Sequence, residues 1–293
     1  MQKPSWIKVR YHDNPVIQQL KNDMRGLPTV CQESLCPNIS ECWSRGTATF
    51  MLMGNNCTRG CRFCSVKHAK LKPLDLLEAE KVLHSVKLMK LKYVVLTSVD
   101  RDDLPDQGAG HLAKCIKHLK QAGLKVEILI PDFRGSKDLL KMVVDAEPCV
   151  LAHNVETVER LTPTVRDRRA GYKQSLQVLK MAHDLNSNII TKSSIMLGLG
   201  ETQEEIERTM DDLRSVNVQL LTIGQYLQPT AKQLSVTRYI PLEMFKYYER
   251  LGYLKGFSHV ASGPFVRSSY LAERGEHESR NNRELLRQKN KHP

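Results

Sequence analysis

The chain lacks the apolar segments that address or anchor a protein. Its opening, MQKPSWIKVR, has no apolar h-region, so no secretory signal is read there. No run of 18 apolar residues occurs, which excludes a membrane-spanning helix. Acid is short beside base: 32 Asp and Glu face 44 Lys and Arg, a net charge of +12. The basic residues are not interleaved with aromatics and no RNA-binding signature is present. Nucleic acid therefore ranks below an acidic protein or an anionic cofactor as partner. The expected setting is cytoplasmic and reducing, where clustered cysteines serve metals rather than disulfides. At 293 residues the chain can bury a full core without such staples.

Eight cysteines are present, and six of them lie between 31 and 64. Cys115 and Cys149 stand apart in a helix-like and a strand-like segment and read as core. The stretch 49–64, TFMLMGNNCTRGCRFC, sets the organisation of the rest. Phe50 to Met53 read as a buried strand ended by Gly54-Asn55-Asn56. Cys57, Cys61 and Cys64 follow in a C-x3-C-x2-C loop, which Gly60 allows to turn tightly. Three thiolates are one short of the four that an iron–sulfur cluster takes, leaving an open metal position of the reactive kind. Zinc is the competing reading, with His68 near enough to be a fourth ligand, but only Cys61 and Cys64 have the zinc-knuckle spacing. Upstream, Cys31, Cys36 and Cys42 form a C-x4-C-x5-C group in a loop broken by Pro37 and Asn38, with a short helical turn near 39–43. Two three-cysteine groups so close together point to two metal centres, each one ligand short.

From residue 49 strand-like and helix-like runs alternate. Strands are expected at 49–54, 93–98, 125–130, 149–153, 189–197 and 218–224. Helices are expected near 75–90, 109–122, 137–146, 155–161 with 172–185, 202–215 and 241–255. Thr202 and Glu205 suggest a capping box. Alternation implies βα units and a parallel sheet. Six strands are too few for a closed eight-stranded barrel, so the expected fold class is α/β, a partial (β/α)6 TIM-like barrel. The expected divisions are 1–48, an extension carrying the first three cysteines; 49–225, the barrel; and 226–293, a second extension ending in a solvated basic tail. Strand ends carry the site in such folds. The polar residues there are Thr97, Ser98, Asp100 and Asp102; His153, Asn154 and Glu156; Thr191 to Ser194; and Gln225, Tyr226 and Gln228. Lys192, inside a buried strand, needs a partner.

The two cysteine motifs, with VLTSVDRDDLPDQGAGH, HNVETV, SIMLGLGE, GQYLQPT and GPFVRSSY, resemble the lipoyl synthases of the radical S-adenosylmethionine (SAM) superfamily. The resemblance spans nearly the whole chain. It implies that Cys57, Cys61 and Cys64 hold a [4Fe–4S] cluster whose open iron binds SAM. It implies a 5′-deoxyadenosyl radical that takes hydrogen from C6 and C8 of an octanoyl chain. That chain is carried by a lipoyl domain or a glycine-cleavage H protein. Cys31, Cys36 and Cys42 would hold a second [4Fe–4S] cluster, the sulfur donor, with Ser268 as fourth ligand and Ser269 as the alternative. Thr97, Asn154, Glu156 and Lys192 are the expected SAM contacts. An external electron donor and an iron–sulfur repair protein are the further partners implied. The rival readings are a tRNA methylthiotransferase, against which no RNA-binding domain follows the barrel, and a two-cluster electron carrier, for which so large a barrel has no use.

Overall fold

The computed structural model describes residues 3–7, 29–33, 36, 38, 42 and 48–289. Most of the turn read near 39–43 lies outside them. Seven parallel strands form one sheet in chain order: β1 Thr49–Leu52, β2 Tyr93–Ser98, β3 Lys125–Leu129, β4 Val150–Ala152, β5 Ile190–Leu197, β6 Leu220–Gln225 and β7 His259–Gly263. Parallel neighbours need a crossover, and helices supply it: α1 Glu78–Leu88, α2 Ala109–Gln121, α3 Lys137–Val144, α4 Tyr172–Leu185, α5 Gln203–Ser215 and α6 Leu242–Leu254. A last helix, α7 Ala272–Lys289, follows β7. Within the sheet each strand pairs with its chain neighbours, and among the described residues β1 and β7 are not joined, so the barrel stays open. The sequence reading placed 259–263 in a terminal extension; these residues instead add a seventh strand to the same sheet.

The core lies between sheet and helices. Phe50, Leu52, Val94, Leu96, Ile128 and Leu151 face α2 and α3 residues such as Leu112, Ile116 and Leu140, all buried. A second cluster gathers Ile195, Leu197, Leu221, Ile223, Met210, Phe245 and Tyr248 beneath α5 and α6. Each such side chain contributes roughly 1.5–3 kcal/mol when fully buried. The capping box at α5 is present: Thr202 accepts from the Glu205 N–H, and Glu205 accepts from the Thr202 N–H.

The other face of the sheet points into the barrel. Because side chains alternate, residues two apart on one strand stack in layers along the interior. Met51, Thr97, Leu129, Ser194 and Gly224 line an upper cavity. Two residues earlier on β3 and β5, Glu127 and Lys192 meet as an ion pair of 2.7 Å with side chains 1% and 4% exposed. Tyr93 Oη donates to the other Glu127 oxygen at 2.7 Å. The tail is not merely solvated. Helix α7 lies under this floor, with Ala272, Glu276 and Ser279 buried and Glu276 paired to Lys125 at 2.9 Å.

Candidate metal and cofactor site

Above the floor is a cavity of about 820 Å³ that gathers side chains from every strand end. Cys57, Cys61 and Cys64 line it, and so do Cys31, Cys36, Cys42, Ser268 and Ser269. None of the eight cysteines is in a disulfide. The loop 57–64 is fixed by its backbone. Cys57 N–H donates to Lys67 O at 2.9 Å, Thr58 N–H to Asp100 O at 3.0 Å, and Cys64 N–H to Cys61 O at 3.1 Å. The sulfurs already have donors. Cys57 Sγ accepts N–H groups from Arg59 and Asp100 at 3.4 Å each, and Cys61 Sγ accepts the Asp167 N–H at 3.3 Å. Burial pushes these thiols up, Cys57 and Cys61 to about 12 and Cys64 to about 11, with Asp100 adding to the shift of each. Neutral thiols facing ready N–H donors suit a metal that would draw off their protons. His68, the fourth ligand of a zinc reading, instead places Nδ1 2.9 Å from Cys57 O on the exposed side, and it does not line the cavity.

An ion-pair lattice that the sequence reading did not single out holds this loop. Arg59 is 5% exposed and meets Asp132 at 2.7 and 2.8 Å, Asp102 at 2.9 and 3.0 Å, and Asp100 at 3.3 Å. Burial alone would lower the guanidinium, yet Asp132 and Asp102 hold it well above its ordinary value. Asp167 accepts the Gly60 N–H at 2.9 Å, and Arg169 bonds both Asp167 and Thr58 O. The available signal was the pairing of VDRDD with an arginine inside C-x3-C.

The expected SAM contacts divide. Thr97, Asn154 and Glu156 line the cavity. Asn154 Oδ1 and Ser98 Oγ, both in residues that line the cavity, are buried with no hydrogen-bond partner among the described residues. Polar atoms left so in a cavity fit a polar ligand. Glu156 accepts from Asn154 Nδ2 at 3.1 Å; burial pushes its carboxyl up, against the pull of Arg166. Lys192 is a correction: it sits one layer lower, spent on Glu127, and does not line the cavity. Thr191 and Ser193 face away from it, bonding Asn217 O and the Val155 N–H. His153 is a satisfied core residue between Ile130 O and Ser175 Oγ, both at 2.9 Å, its imidazole lowered to about 4 by burial. Gln225 spends its amide on the 238–240 segment and on Leu197 O. Glu201, also missed, accepts the Gly198 and Leu199 N–H groups at 2.6 and 2.9 Å and shapes the turn after β5.

The first triad lines the same cavity, and Ser65, next to Cys64, donates to Glu33 O in its segment at 2.7 Å. Cys31 lies in a helical turn, Val30–Glu33, beside β1; Cys36 N–H bonds Cys31 O and Cys42 N–H bonds Asn38 O. Asn38 Nδ2 donates to Phe265 O at 2.5 Å, tying this segment to the one that carries RSSY. Gly224 makes room for that segment: a Cβ there would meet Val266 O at 2.1 Å. Arg267 stands by Cys36, an enclosed cation that suits an anionic group.

A family model described as the radical SAM superfamily matches residues 51–213. Lipoyl synthase of Picrophilus torridus is 60% identical over 248 residues, 85% of this chain and 86% of that protein. Lipoyl synthase of Legionella pneumophila is 54% identical over 277 residues, 93% and 84% of the two chains. The chain belongs to the lipoyl synthase family. A mitochondrial lipoyl synthase of Drosophila mojavensis is 52% identical over 92% of this chain and 77% of its own. As a lipoyl synthase homologue the chain is a radical SAM sulfurtransferase of lipoate biosynthesis, with SAM and [4Fe–4S] clusters as cofactors and an octanoylated lipoyl carrier as substrate. The methylthiotransferase and electron-carrier readings fall away. The fold recurs at low identity in the hydrogenase maturase HydG of Carboxydothermus hydrogenoformans, with TM-score 0.59 and 12% identity over 90% of this chain and 67% of that one. Methylornithine synthase gives TM-score 0.57 and 13% identity over 82% and 73%. Among the described residues no helix is long and apolar enough to cross a membrane.

Proposed function

We propose that this lipoyl synthase homologue divides its work between the two cysteine triads that line one cavity. Cys57, Cys61 and Cys64 would hold the cluster that binds SAM, with Thr97, Asn154 and Glu156 contacting SAM. Cys31, Cys36 and Cys42, with Ser268, would hold the second cluster, and Ser269 is the alternative ligand. When bound, the first cluster with SAM supplies a hydrogen-abstracting radical and the second supplies sulfur at C6 and C8. An unactivated C–H bond offers nothing to acid, base or nucleophile, so the chain's own residues bind, orient and exclude water. The observation carrying this reading is that both triads and the RSSY serines line the same 820 Å³ cavity. The carrier protein stays outside the cavity while its acyl chain enters. An external reductant, a repair protein for the consumed cluster and a reducing cytoplasmic setting complete the proposal.

The test uses anaerobically reconstituted protein with SAM, dithionite and an octanoylated lipoyl domain. The carrier should become heavier by two sulfur atoms. With Cys31, Cys36 and Cys42 replaced by Ala, 5′-deoxyadenosine should still form while sulfur addition stops. Sulfur addition by that variant without added sulfide would overturn the division of roles.

A further inference from the structure

The turn that launches the cluster loop has an unusual backbone. Met53, directly after β1, has φ 65°, a left-handed value that a long side chain seldom adopts, and Gly54 follows at φ 87°. Such a residue persists only where its surroundings over-determine it. Here they do. Met53 N–H donates to both oxygens of Glu78, at 3.0 and 2.9 Å. Glu78 is 4% exposed, at the first position of α1. His111 Nε2, on α2, lies 2.6 Å from Glu78 Oε2, and a ring nitrogen facing a carboxylate carries the proton. The Met53 side chain is clasped as well. It lies so close to Gly108, the residue before α2, that a Cβ there would fall 2.2 Å from Met53 Sδ. Asp106 holds that glycine in place by accepting the Gly108 and Gly110 N–H groups at 3.0 Å.

Glu78, His111 and Cys115 also place their ligand atoms within 4.8 Å of one another, all buried. A metal site is the competing reading. It is the weaker one, because both Glu78 oxygens already serve Met53 and one serves His111.

We propose that Glu78 and His111 are positioning residues for the loop that carries Cys57, Cys61 and Cys64. Resting on the assignment of that loop to the SAM-binding cluster, the proposal gives the GAGH stretch a purpose. The pair pins a left-handed backbone four residues before Cys57, so the loop leaves β1 in the direction that brings three thiols together. The pair touches neither cluster nor substrate.

The test measures iron and spectra on anaerobically reconstituted full-length protein. Glu78→Gln should lose the signal change that SAM induces in the reduced cluster's electron paramagnetic resonance. Its iron should fall from about eight toward about four per chain, the second cluster remaining. Placed on a Met53→Gly background, where a left-handed backbone costs little, the same Glu78→Gln change should reduce iron less than half as much as it does in the parent. His111→Gln, which keeps an N–H donor, should load normally, and His111→Leu should not. Unchanged iron and spectra in folded Glu78→Gln or His111→Leu protein would overturn the proposal. An equal loss on the Met53→Gly background would overturn it too. So would one zinc bound by protein lacking all six cluster cysteines and lost on Cys115→Ala. If the Cys57, Cys61 and Cys64 triple Ala variant keeps eight irons, the loop assignment itself fails, whatever Glu78 does.

Discussion

Arg59, midway between Cys57 and Cys61, is locked to Asp132 beyond β3 by two parallel bonds of 2.7 and 2.8 Å. The loop is therefore anchored from within, by a residue that is not itself a metal ligand. A fork matters here as much as a charge, because Lys cannot make two parallel bonds to one carboxylate.

Arg59→Lys should accordingly fold and keep the second cluster but load the first poorly, with 5′-deoxyadenosine formation down by about tenfold or more. Arg59→Ala should also lower stability by about 3–5 kcal/mol, since three carboxylates lose their shared cation. Wild-type iron content and SAM cleavage in Arg59→Lys would show that charge alone suffices.

For Ser268 the measurement is sulfur transfer against SAM cleavage. A hydroxyl oxygen is a harder ligand than thiolate and a poor match to iron in a sulfur cluster. A centre that must be dismantled needs an iron that can leave. Ser268→Cys should assemble both clusters and cleave SAM at the wild-type rate, yet make product at least tenfold more slowly. Equal product from Ser268→Cys and Ser268→Ala at the wild-type rate would move the role to Ser269.

The cavity mouth predicts a salt effect. Lys3, Arg62 and Lys232 line it and are exposed, and none forms an ion pair among the described residues. If they steer an acidic carrier face, association slows as salt rises toward physiological strength, where screening shortens to about 8 Å. Lys232→Glu should raise the KM for the octanoylated carrier several-fold at unchanged kcat. A salt-independent association rate would exclude steering.

Lys192 gives a prediction of the opposite kind. Replacing it by Met leaves Glu127 buried with Tyr93 as its remaining partner, at a cost of about 3–5 kcal/mol. The melting temperature should drop, while the KM for SAM at a permissive temperature stays within twofold. A large rise in that KM would return Lys192 to the cofactor site.

Much of this was legible in the chain because its periodicities are strong. YVVLTS and the 172–185 helix fall where their patterns put them, since a parallel strand buried on both faces reads as a continuous apolar run. β7 was hidden because HVASG is short, carries one large aliphatic residue and ends at Gly-Pro. Lys192 misled for a related reason. Alternation says which face of β5 it occupies, but not how far down the barrel it lies, and that depth depends on register with β3 through β4. Arg59, Glu78 and His111 escaped because their partners lie 25 to 73 residues away, a distance that no local pattern encodes.

The open seam between β1 and β7 also sets an order in time. One edge leads back through Thr29, bridged to Phe50, toward Cys31; the other runs on through Phe265 to Ser268. A chain emerging from the ribosome presents Cys57, Cys61 and Cys64 early. Ser268 appears 226 residues after Cys42, the last cysteine of its own triad. On the proposed ligand set, the centre that starts the radical has its three ligands within one short loop, while the centre that supplies sulfur waits until the barrel strands have been made. A polypeptide stopped short of residue 268 would then keep every cysteine of both centres and lack one ligand of the sulfur-supplying one.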